Sequence, residues 1–230
     1  MLGLGSGLVT GGAPSEWTPA SISSLIHWYK NDTGITIDGE DDVIVWADQK
    51  GSNNLTADGT SANSPTYSSG SVLFNSNNDI LTLGTPLDLG TFSLYIRMEA
   101  SALDGDFLFE ETGNEFIKIH DANNIRMKIA GGSRHDVSSG VSLSVDTKFN
   151  IGVEREDTGS TTDDQIFVFL DNVSKTVGGS GGGTQAITDL FEITTIGKPA
   201  SDVKIHEIII CDDAIGSSDR TELQAYLAKI

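Results

Sequence analysis

The feature that most narrows what this chain can fold into is a recurring two-residue period. In the segment 92–99, apolar Phe92, Leu94, Ile96 and Met98 alternate with Ser93, Tyr95, Arg97 and Glu99. Successive side chains on a strand point to opposite faces, so this alternation predicts a half-buried strand with Tyr95 on its polar side. The signal returns at 107–109, 116–119, 125–129, 149–153, 166–170 and 203–208, with turn-forming clusters such as Asp121-Ala122-Asn123-Asn124 and Asp171-Asn172 between them. Shorter strands are predicted at 25–30, 43–47, 72–74 and 79–83, around a stretch at 51–71, rich in Ser, Asn, Thr and Gly, that reads as a long loop. Strands are expected to resume at Ile187 and at 193–197, after the glycine-rich surface loop 178–183. Many short strands joined by polar turns predict an all-β sandwich or jelly roll.

A helix is predicted only at the C-terminal end, about 218–230. Leu223, Tyr226, Leu227 and Ile230 form a docking stripe, and Asp219 with Glu222 has the spacing of a capping box. The glycine-rich segment 1–16 stands apart from the sandwich at 17–230. It reads either as a frayed terminus or as an extended arm. Its aliphatics Leu2, Leu4, Leu8 and Val9 favour an assembly arm, since a plain linker needs none.

Charge excludes several partners. Asp and Glu number 33 against 14 Lys and Arg, a net charge of −19 over 230 residues. Such a surface repels nucleic-acid phosphates and anionic membranes. No apolar run approaches the ~18 residues of a membrane span. The opening residues lack the basic region and unbroken apolar stretch of a signal peptide, so synthesis in the cytoplasm without membrane insertion is expected. The single cysteine, Cys211, ends an apolar run and reads as a small buried hydrophobe.

Catalytic patterns are weak. Glycoside hydrolysis needs two carboxylates flanking the bond, and Glu154-Arg155-Glu156 lacks a third partner at a useful spacing. Gly178-Gly179-Ser180-Gly181-Gly182 matches a nucleophile elbow in letters alone, because its flanks are glycine rather than strand and helix. The four histidines are scattered without cysteine partners, which argues against zinc. No cofactor is expected. Calcium is the one metal the acidic turns 38–42, 163–164 and 212–213 would suit, although none has EF-hand spacing. A sugar site needs an exposed aromatic beside amides or carboxylates. The three tryptophans lie near core strands, which leaves Tyr67 and Tyr95 as the candidate glycan contacts.

The segment 25–74 resembles the concanavalin A-like, laminin-G-type jelly-roll domains of bacterial and phage proteins. The resemblance rests on the strand bearing Trp28, the turn Trp46-Ala47-Asp48-Gln49-Lys50-Gly51, the run Pro65-Thr66-Tyr67 and the strand ending at Phe74. Lys50 stands where that family usually has Ser. The strand 205–210 followed by a helix matches the family's last core strand and terminal helix. Asp48 before Gly51 suits an Asx-type turn. The leader running straight into such a domain resembles virion structural proteins of marine tailed phages. That resemblance implies a non-enzymatic, multi-copy protein made in the host cytoplasm, located on the virion and bound to other virion proteins, as capsid decoration, tail or fibre. The alternative is a carbohydrate-binding adhesin for host-surface glycans.

Overall fold

The computed structural model describes residues 16–76, 78–103, 107–111, 115–129, 135–138, 143–178, 186–197 and 202–230. The leader residues Leu2, Leu4, Leu8 and Val9, and the glycine-rich run from 179 on, lie outside the described residues. In chain order the strands are β1 (Leu25–Tyr29), β2 (Ile35–Ile37), β3 (Val43–Trp46), β4 (Leu55–Thr56), β5 (Thr66–Ser68), β6 (Ser71–Phe74), β7 (Ile80–Leu89), β8 (Phe92–Ala100) and β9 (Phe107–Glu111). They continue as β10 (Glu115–Asp121), β11 (Asn124–Lys128), β12 (His135–Ser138), β13 (Phe149–Arg155), β14 (Ile166–Leu170), β15 (Val173–Lys175), β16 (Val177–Gly178), β17 (Phe191–Gly197) and β18 (Val203–Cys211). Two helices, α1 (Thr162–Gln165) and α2 (Ser217–Leu227), interrupt and follow them.

The strands form two antiparallel sheets stacked as a jelly-roll-like sandwich. One runs β15-β14-β13-β8-β18-β6-β5, with β1 beside β18, and the other runs β16-β12-β11-β10-β9-β17-β7-β4-β3-β2. Phe92, Leu94, Ile96 and Met98 of β8 pack in the main core with Trp46, Phe74, Phe109 and Phe191. A second apolar cluster lies on the outer face of the first sheet, where Leu25, Trp28, Tyr95, Ile209 and Cys211 meet Leu223 and Leu227 of α2.

That second cluster corrects the reading of β8 as half-buried. Every residue of β8 except Glu99 is buried, because α2 and its flanking residues cover the face that alternation assigned to solvent. Tyr95 is fully enclosed. It is therefore a helix-docking residue and not an exposed glycan contact. Its hydroxyl donates to the Glu154 carboxylate, and its ring lies over Gly152, the residue opposite it on β13. A Cβ at position 152 would fall within the ring, so only glycine admits this packing.

A bulge sets which residues of β18 face the core. Ile205 pairs with Met98, but Glu207 pairs with Arg97, leaving His206 as the extra residue. An extra residue reverses the side-chain phase that follows it. Ile208 and Ile210 therefore stay in the main core, while Glu207 turns outward to accept from Trp28 Nε1 at 2.6 Å. Plain alternation places Glu207 with Ile205.

Other local expectations change as well. The stretch 51–71 contains β4, β5 and a 3-10 turn at Ser61–Asn63. Ile187 is buried but lies outside any strand, its N–H donating to Gln165 Oε1 at 2.5 Å. Helix α2 begins after Gly216, and no side chain caps it, so the expected capping box at Asp219 and Glu222 does not form. Cys211 is buried as expected, and desolvation pushes its thiol pKa up to about 12.

Candidate functional site

The residues of the Trp46–Gly51 turn form a hub around one carboxylate. Asp48 Oδ1 accepts from the N–H groups of Trp28 and Lys50, both at 3.0 Å, and Oδ2 accepts from Asn53 N at 3.3 Å and faces His27 Nδ1 at 2.7 Å. Burial alone would raise the pKa of Asp48. The hydrogen bonds from His27, Trp28, Lys50 and Gly51 outweigh it and hold the pKa down to about 2. A Cβ at Gly51 would crowd Asp48 Oδ2 at 2.7 Å, so a glycine here lets the chain close on the carboxylate.

This hub is structural, and it supports a second feature. Ala47 N donates to Gly34 O at 2.8 Å, and Trp46 Nε1 donates to Lys30 O at 3.1 Å, so the turn from β1 to β2 is held from both ends. Asp32 and Gly34 in that turn take positive φ. Asn31 Nδ2 donates across to Gly70 O at 2.5 Å, in the turn between β5 and β6. Asp32 is thereby brought beside Tyr67, which lies 35 positions further along the chain and donates its hydroxyl to Asp32 Oδ1. The carboxylate bond raises the phenol pKa, so Tyr67 stays a neutral donor.

Asp32 and Tyr67, with Gly34, Ile35 and Ile37, line an open groove of about 260 Å³. The groove sits where the outermost strands of the two sheets meet, β2 from one and β5 from the other. Ile37 is 38% exposed and presents an aliphatic surface to solvent at the groove. The arrangement offers a half-buried aromatic ring, two aliphatic side chains and one carboxylate whose Oδ2 has no partner among the described residues. Such an apolar surface with a few placed polar groups is the general form of a small-ligand site.

The other residues of the sequence resemblance fall into the core. Trp46 and Phe74 are fully buried between the sheets, Trp28 is buried under α2, and Pro65 anchors β5 by accepting from Val43 N at 2.7 Å. Of the two candidate glycan contacts, only Tyr67 reaches solvent. Its partner Asp32 carried no signal in the sequence, because the pairing depends on the Asn31–Gly70 tie.

Several carboxylates of the acidic turns that would suit calcium are engaged locally. Asp38 Oδ1 accepts from the N–H groups of Glu40 and Asp42, and Asp164 Oδ2 accepts from the Thr161 hydroxyl at the start of α1. Among the described residues, no three His, Cys, Asp or Glu side chains converge as a metal site. No described helix is long and apolar enough to cross a membrane.

No protein-family model matches the chain, and no curated protein matches it in sequence. Solved structures do match in fold. Trypanosoma rangeli sialidase superposes with a TM-score of 0.60 at 15% identity, over 88% of this chain and 33% of the sialidase. This chain therefore spans about a third of the sialidase chains it matches. Domain 4 of AbnA, a GH43 extracellular arabinanase from Geobacillus stearothermophilus solved in complex with arabinotriose, superposes at 0.53 and 14% identity, over 87% of this chain and 98% of that domain. At these identities the likeness establishes the β-sandwich fold and nothing finer.

Proposed function

We propose that the domain is a non-enzymatic carbohydrate-binding module that takes a neutral sugar ring into the groove between β2 and β5. The observation that carries this reading is the pairing of Tyr67 with Asp32 on a braced turn. The ring offers a flat apolar face, and the carboxylate accepts from sugar hydroxyls. The Asp32 carboxylate lining the groove favours a neutral glycan over an acidic one, which it would repel at contact. A sandwich domain of similar fold and nearly equal extent, solved with arabinotriose, supports the reading.

The test is a calorimetric titration with neutral oligosaccharides, arabinotriose first. Saturable binding is expected, weakened about tenfold by Tyr67→Ala, the scale of a lost aromatic contact of about 1.5 kcal/mol. Because the half-buried Tyr67 ring also packs against the main core, some fall in the thermal midpoint is expected, and binding is compared at a temperature where both proteins are folded. Absence of saturable binding across the panel, or binding indifferent to Tyr67→Ala, overturns the proposal.

Display on a phage particle is a separate proposal about location and is compatible with glycan binding. It rests on Leu2, Leu4, Leu8 and Val9, and no observation among the described residues favours it. Mass spectrometry of salt-washed particles tests it directly.

A further inference from the structure

Helix α2 leaves part of the outer sheet face open. Beside it lies a cavity of about 340 Å³, walled by Arg97 of β8, Asn150 of β13, the Asp171-Asn172 turn, and Thr221, Gln224 and Ala225 of the helix. Arg97 Nη1 donates to Asn150 Oδ1 at 3.2 Å, and Asn150 Nδ2 donates to Gln224 Oε1 at 3.0 Å. Asn150 N donates to Asp171 Oδ1 at 2.9 Å. The relay ends in unused donors, since the buried Arg97 Nε and Gln224 Nε2 have no hydrogen-bond partner among the described residues. Arg97 is 8% exposed. It forms no ion pair within 4 Å among the described residues, although the charges of Asp171 and Glu99 act on it.

A guanidinium does not shed its proton in proteins. A buried cation with part of its donor set unused is costly until an anion completes it. Tyr95 and Arg220 satisfy the neighbouring Glu154, so the fold supplies partners where it needs them. Around Arg97 it leaves a cavity instead, with Asp171, Asn172 and Thr221 as further polar groups.

We propose that this cavity binds a small hydroxylated carboxylate, of which a uronic acid is the carbohydrate form. Neither unpartnered atom is exposed, so the carboxylate takes the Arg97 and Gln224 donors by turning both side chains toward the cavity. The hydroxyls lie toward Asp171, Asn172 and Thr221. The volume matches the lower end of small-molecule pockets, ~300 Å³. Repulsion from the acidic surface is screened beyond about 8 Å at physiological salt. The site shares no lining residue with the Tyr67 groove, so neither result decides the other.

The experiment is an NMR titration of the full chain at physiological ionic strength with sodium glucuronate, with glucose and acetate as comparators. Glucuronate alone is expected to give saturable amide shifts at Asn150, Asn172, Thr221 and Gln224. Arg97→Gln is expected to weaken binding by about tenfold or more, the loss of a charge-assisted contact. Ala225→Met guards against a folding artefact, since it fills the cavity from an exposed helix position and leaves Arg97 in place; it is expected to cause a like loss. No saturable response to glucuronate, an equal response to acetate, or binding unchanged in both variants overturns the proposal.

Discussion

Glu154 and Glu207 are both fully buried on the outer face of the same sheet, beneath the same helix, yet they are accommodated differently. Glu154 receives Arg220 through two bonds, Nε to Oε1 at 3.0 Å and Nη2 to Oε2 at 2.6 Å, and it also takes the Tyr95 hydroxyl. The Arg220 guanidinium lies 4.2 Å over the Phe169 ring and donates to Ile215 O, so the residue ties α2 to three parts of the fold. Glu207 has no cation within ion-pair distance among the described residues. It is held by Trp28 Nε1, Asn31 N and the Tyr226 hydroxyl. The difference separates two ways of seating a helix on a sheet. A paired charge fixes position because the alternative is an unpaired buried ion, whereas an acid bonded to neutral donors tolerates protonation.

The comparison breaks most sharply at Arg220. Arg220→Met leaves Glu154 as an uncompensated buried charge, and a loss of about 3–5 kcal/mol is expected by chemical denaturation. Gly152→Ala comes next. It forces the Tyr95 ring off its seat and away from Glu154, for an expected loss of about 1–3 kcal/mol. The smallest change is Glu207→Gln, which exchanges the Asn31 bond, worth about 1 kcal/mol, for relief from burying a charge. Its effect is expected in pH dependence instead.

Burial raises the pKa of Glu207 above its ordinary 4.5, although the Trp28, Asn31 and Tyr226 bonds oppose the rise. The folded protein therefore holds this proton where the unfolded chain releases it. The resulting stability is complete below the unfolded pKa and is lost as pH rises through the raised value. Asp48 acts in the opposite sense, its contribution present above 3.8 and lost as pH falls toward about 2. Melting curves across pH 2–7 are expected to show Glu207→Gln removing the fall with rising pH and leaving the Asp48 limb, between 3.8 and about 2, intact. An unchanged profile in that variant contradicts the assignment.

The sandwich was legible in the sequence because alternation reports the face that meets the core, and β8, β10, β11, β13 and β14 all carry it. What lies on the other face was not legible. Ser93, Tyr95 and Arg97 look solvated until they are set against Glu154, Gly152 and Asn150, their neighbours in register on β13. That one-to-one match of polar and small residues on two strands was a usable signal for a covered face. The His206 bulge left none, since inserting one residue in a run of Ile changes the phase without changing the composition. At the groove, Tyr67 stood out as an aromatic in a polar stretch, but Asp32 reaches it only through tertiary ties.

The placement of β18 also governs how the chain can assemble. Lying between β8 on one side and β6 and β1 on the other, it joins the two parts of its sheet. Its contact with β1 spans 179 positions in the pair Trp28–Glu207. Contacts this distant in sequence form slowly, because loop entropy must be overcome before they repay it. Until 203–211 has emerged from the ribosome, β8 presents an open edge, and the sheet's two parts have nothing to join them. Synthesis therefore exposes an aggregation-prone intermediate until that strand is made, and a stop codon shortly before Val203 deletes the centre of the sheet rather than its margin.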